Sequence, residues 1–94
     1  MTNRYRQGYR AELALMKRLR AGEEFHTVIR SAGSRSPFDV VAIGREGILL
    51  CQVKAGKGGH RAAKRELASM AFPDCVRVEV WIYRQGKWDT TRVR

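Results

Sequence analysis

Pro37-Phe38-Asp39-Val40-Val41-Ala42-Ile43-Gly44-Arg45-Glu46-Gly47-Ile48-Leu49-Leu50-Cys51-Gln52-Val53-Lys54-Ala55 holds two apolar runs on either side of a Gly-Arg-Glu-Gly turn. Both runs are too short for helices and rich in aliphatic residues, so they read as strands 38–43 and 48–55 of one hairpin. With 44–47 as the turn, Ile43 faces Ile48, Val41 faces Leu50 and Asp39 faces Gln52. Directly opposed residues share a face, with Cβ atoms roughly 5 Å apart. Lys54 lies two residues beyond Gln52 and takes the same face. Asp39, Gln52 and Lys54 are therefore expected to converge at the open end of the hairpin. A one-residue slip of register would separate them.

Outward from the hairpin, residues 7–21 read as a helix, with Tyr9, Leu13 and Met16 at helical spacing and Gly22 closing it. Residues 27–30 form a short strand and 31–37 a small-residue loop. Downstream, Gly56 to Gly59 is a basic loop. His60 to Phe72 reads as a second helix ended by Pro73, 76–83 as a strand, and Trp88 starts a last strand after the turn at 84–87. The order α-β-β-β-α-β-β predicts an α/β fold, a sheet covered by helices, in a single domain over 1–94. No apolar run spans a bilayer, and the N-terminus has no secretory h-region. Two cysteines without metal-type spacing make no disulfide framework. A cytoplasmic protein is expected, in the host-cell cytoplasm if a virus encodes it, with no membrane partner.

Among the 94 residues, 19 Lys+Arg against 9 Asp+Glu give a net charge of +10. A small domain this basic meets a polyanion, and nucleic acid is the first expectation. Arg4, Arg6 and Arg10 in the N-terminal arm, Arg30 and Arg35 around the loop, and Lys57, Arg61, Lys64 and Arg65 after the third strand read as phosphate contacts. His26 and His60 read as surface residues. Trp81, Tyr83 and Trp88 belong to the core or to an interface between two copies.

Glu12 is placed unusually. At about 100° per residue it falls between Leu19 and Met16, inside the apolar stripe of the first helix. A carboxylate there is costly unless it pairs with an arginine or binds a cation. With Asp39, the Gln52 side-chain carbonyl and a strand carbonyl such as that of Val53, Glu12 could complete an oxygen shell for a hard divalent ion. Such an ion lowers the pKa of bound water and neutralises a phosphate, while Lys54 orients the water or stabilises developing charge.

Pro37-Phe-Asp39 followed by Gln52-Val-Lys54 resembles the PD-(D/E)xK nuclease motif. Gly8-Tyr-Arg-Ala-Glu12, then Val28-Ile-Arg30-Ser31-Ala-Gly33-Ser34 ahead of Pro37-x-Asp39, is similar to the archaeal-type Holliday junction resolvases, over roughly residues 4–57. The resemblance implies a restriction-endonuclease-like mixed sheet flanked by helices and a two-fold homodimer. It also implies paired Mg²⁺-dependent incisions (Mn²⁺ as an alternative) across a four-way DNA junction. Carried over by position, Glu12, Asp39 and Gln52 are metal-site residues and Lys54 the catalytic lysine. Ser34 is the loop serine near the scissile phosphate, and Arg30 a phosphate contact. The departure is Gln52, where the family has Glu: an amide is neutral and a poorer ligand. Two other readings stay open, a nuclease of the same superfamily acting on duplex, nicked or flap DNA, and a non-catalytic junction-binding protein.

Overall fold

The computed structural model describes residues 4–31, 36–56 and 60–94, with the backbone alone for 4–6. The chain runs α1 (Arg4–Ala21), β1 (Phe25–Arg30), β2 (Val40–Gly44), β3 (Gly47–Ala55), α2 (His60–Ala68), β4 (Val76–Arg84) and β5 (Lys87–Arg92). The strands form one sheet in the order β1-β2-β3-β4-β5. β3 and β4 are parallel, with α2 lying in the crossover between them, and the other pairs are antiparallel. Parallel neighbours need such a crossover, whereas the antiparallel pairs close through short turns.

The hairpin register pairs Ile43 with Ile48 and Val41 with Leu50, and Gly44 opposite Gly47 leaves Arg45-Glu46 as the turn proper. Gly47 has a φ of 140°, and a Cβ there would collide with the Cys75 carbonyl oxygen. That carbonyl also accepts the Ile48 N–H at 3.0 Å, which fixes the chain entering β4 against the hairpin corner. At the β4–β5 turn, Gln85 and Gly86 both take positive φ, as a two-residue turn matched to strand twist requires.

Alternation along β3 divides the core. Leu49, Cys51 and Val53 point toward α1 and pack with Ala11, Leu15, Met16 and Leu19. On the opposite face, Leu50 joins Val78, Val80 and Ile82 of β4 beneath Leu67 of α2. Phe38 and Phe72 close this second core edge to face, 5.9 Å apart. Burial pushes the Cys51 thiol far up, so it packs as a small apolar group, while Cys75 is exposed and also free. Among the described residues no helix is long and apolar enough to cross a membrane.

Several boundaries differ from the sequence reading. α1 begins at Arg4 rather than Gln7, and β1 reaches back to Phe25 through a register irregularity between Phe25 and Thr27. β2 starts at Val40 because Phe38 gives its N–H to Ser36 Oγ (3.0 Å) and leaves the ladder. α2 stops at Ala68 instead of Phe72: Ser69 Oγ donates to the Glu66 carbonyl at 2.7 Å, and Phe72 turns back onto Phe38. The buried stripe of α1 includes Ala11 but leaves Tyr9 38% and Leu13 42% exposed, because the sheet covers a narrower arc of the helix than its apolar residues span. Trp81, Tyr83 and Trp88 pack on one another edge to face and against the α1 core.

Candidate active site

β3 continues to Ala55, but its pairing with β2 ends at Cys51, so a notch opens beside residues 52–55. Asp39 sits at the lip of this notch. Its N–H donates to the Cys51 carbonyl at 2.8 Å, one residue short of the partner a continued ladder would give it. Its Oδ2 accepts the Val53 N–H at 2.8 Å, and its carbonyl accepts the Ser31 N–H at 2.9 Å. A carboxylate thus stands where the next β2 carbonyl would have been, anchored by the Val53 N–H of β3, while the Asp39 main chain is tied to Ser31 just beyond β1.

Burial pushes the Asp39 carboxyl above its ordinary value, and the nearby Glu12 adds to the rise. The Val53 N–H, Lys54 and Arg30 pull the other way without cancelling it. Glu12, Lys54 and Arg30 therefore all act electrically on Asp39, although they come from α1, β3 and β1. Glu12, inside the stripe as its spacing predicts, is paired: Arg30 Nε donates to Glu12 Oε1 at 2.8 Å, with about four-fifths of each side chain covered. The Arg30 guanidinium also lies 4.3 Å over the Tyr9 ring, which gives the half-exposed tyrosine a task the sequence did not reveal. The formal charges of Glu12, Asp39, Arg30 and Lys54 balance.

Gln52 takes a separate place. It is 7% exposed, and its Nε2 donates to the Pro37 carbonyl at 3.1 Å. Its Oε1 is buried with no hydrogen-bond partner among the described residues. Val53, expected to offer a carbonyl, contributes its N–H to Asp39. Lys54 is half-buried on β3, opposite Ile82 in the parallel ladder.

The basic residues divide as well. Arg61 and Arg65 are exposed and Lys64 half-buried on α2, within about 100° of arc and opposite Ala63 and Leu67. Arg10 is exposed on α1. Arg30 is engaged by Glu12 and Tyr9 at the place where a phosphate contact was expected. His60 is half-buried, with Nε2 3.3 Å from the Gly56 carbonyl. Ser34, Arg35 and Lys57, and the side chains of Arg4 and Arg6, lie outside the described residues.

Among the described residues no three His, Cys, Asp or Glu side chains group to hold a metal ion. Mg²⁺ does not need three, because it keeps several waters and is commonly held by one or two carboxylates together with substrate phosphate. Glu12 and Asp39 are two carboxylates that could serve in this way, and Gln52 Oε1 is a buried oxygen with no hydrogen to accept among the described residues. The donor set fits Mg²⁺ or Mn²⁺ and lacks the nitrogen and sulfur ligands that zinc prefers. Compared with known proteins, the chain matches no family model and no curated protein.

Proposed function

We propose that this chain is a metal-dependent DNA endonuclease of restriction-endonuclease-like fold, cutting four-way junctions as a homodimer. The observation that carries the reading is Asp39. Its half-buried carboxylate is anchored by the Val53 N–H, pushed toward protonation, and set within electrostatic reach of Glu12 and Lys54. Two partly buried carboxylates near a lysine are costly to keep, and such perturbed groups cluster where charge chemistry is done. A net charge of +10 and the basic arc of α2 supply contacts for a phosphate backbone.

Glu12 and Asp39 would hold the ion, and Mg²⁺ would supply Lewis acidity toward a phosphate oxygen and a more acidic bound water. Lys54, within electrostatic reach of Asp39, would orient the attacking water and stabilise negative charge as the water oxygen bonds to phosphorus and an ester P–O bond breaks, the water's proton passing to solvent and the leaving oxygen taking one up. Arg30 holds the Glu12 carboxylate in one orientation. Two copies suit a two-fold junction. The sheet face away from α1 supports a meeting of copies: Ile29 is 50% exposed there, beside half-buried Val41, Ile43 and Ile48.

Lys54→Met tests the chemical assignment. Cleavage falls by about 10²–10³-fold, in the range for losing a group that stabilises developing charge, while junction binding changes little. A variant that cuts as fast as the wild type would remove Lys54 from the chemistry. Tight binding by the wild type with no cutting would favour the junction-binding reading.

A further inference from the structure

Among the described residues Gln52 is the only polar side chain that is buried. It belongs to a seam joining residues 37–39 to three consecutive residues of β3. Asp39 N–H reaches the Cys51 carbonyl, Gln52 Nε2 reaches the Pro37 carbonyl, and Val53 N–H reaches Asp39 Oδ2. The middle tie is the one that β3 makes with a side chain. A glutamate would match the length of Gln52, but once ionised it offers acceptors only. Facing the Pro37 carbonyl it would set acceptor against acceptor, and it would add a third negative charge near Asp39 and Glu12.

We propose that Gln52 is a positioning residue: its Nε2–H, donated to the Pro37 carbonyl, fixes the Pro37–Asp39 step against β3 and so aims the Asp39 carboxylate into the site. The amide is there because a donor is needed, and its significance is not that of a weakened metal ligand. The inference rests on reading Asp39 as an ion-binding group, and it deepens that reading.

The test uses the full chain, ¹⁵N-labelled, as wild type, Gln52→Glu and Gln52→Met. In metal-free buffer, one of the two Gln52 side-chain amide protons of the wild type exchanges slowly with solvent. The Val53 amide proton, bonded to the Asp39 carboxylate in the wild type, exchanges with solvent faster in both variants than the change of its neighbouring side chain alone would make it, because that carboxylate has lost its support. On titration with Mg²⁺, the concentration giving half the spectral change rises about 10- to 100-fold in both variants, as when an outer partner of a metal ligand is removed. Tighter Mg²⁺ binding by Gln52→Glu with Val53 amide exchange as slow as in the wild type would overturn the proposal, since it would make position 52 a simple ligand. If neither variant folds, the wild-type Gln52 amide decides, and rapid exchange of both protons rejects the hydrogen bond. A wild type that shows no response to Mg²⁺ defeats the nuclease reading, while the metal-free exchange rate of the Val53 amide still judges the role of Gln52.

Discussion

Asp39→Asn stops cleavage and leaves the fold at least as stable as before. Removing one of the two carboxylates proposed to hold the ion is expected to slow cutting on the order of 10³-fold, the equivalent of about 4 kcal/mol of transition-state stabilisation. Stability should move the other way. Burial and Glu12 raise the Asp39 carboxyl above its ordinary value, so the native state binds that proton more tightly than the unfolded chain does. The stability this group contributes is full below its unfolded value and is lost as pH rises through the folded one. Asparagine does not titrate, and its Oδ1 can still accept the Val53 N–H. In chelator at neutral pH the variant therefore melts at or above the wild-type temperature, and the gap narrows as pH falls toward about 4, the ordinary range of an aspartate. A variant that melts well below the wild type at neutral pH would mean that the charge itself holds the notch together. Cleavage retained within about tenfold would take Asp39 out of the chemistry.

Gly47→Ala carries the largest expected effect on folding. Two separate costs fall on one methyl group. The backbone is at φ 140°, a region open to glycine and strained for other residues by about 1–3 kcal/mol. The new Cβ also meets the Cys75 carbonyl oxygen, a backbone atom already holding the Ile48 N–H, and such overpacking costs about another 1–3 kcal/mol. Set against a total of about 5–15 kcal/mol for a domain, their sum is a large share of the margin. Gly8→Ala is the matched control. Gly8 lies inside α1, a Cβ there meets nothing within 4 Å, and alanine should stabilise by about 0.5–1 kcal/mol. Chemical denaturation of the two variants should therefore give shifts of opposite sign. A Gly47→Ala midpoint equal to the wild type would show that β4 does not enter against the hairpin corner.

The parts of this fold that could be read from residues are those written in periodicity. Two aliphatic runs around Gly44 and Gly47 specify a hairpin and its register, since a slip would expose Val40, Ala42, Leu49 and Cys51 together. Glu12 stood out because a carboxylate inside an apolar stripe needs a partner, and the structure supplies Arg30. The identity of that partner was hidden by distance along the chain. It follows only once β1 lies under α1, with Val28 and Arg30 on the same face. The break at Asp39 was hidden too, because pairing rules carry a ladder onward until a side chain replaces the backbone. Gln52 looked like a ligand position by spacing, and its use of the Pro37 carbonyl depends on a loop conformation that no alternation encodes. Tyr9 and Leu13 matched the helical period but lie beyond the arc the sheet covers. Local pattern thus singled out Glu12, Asp39 and Gln52, while tertiary packing decided how they partner.

The direct measurement is incubation of an end-labelled four-way junction with the protein and Mg²⁺, beside a linear duplex of matched sequence. Symmetric paired nicks on the junction, with the duplex left intact and no cutting in chelator, are the predicted result. A junction bound tightly yet uncut in both Mg²⁺ and Mn²⁺ would contradict the nuclease reading and leave a protein that holds branched DNA without hydrolysing it.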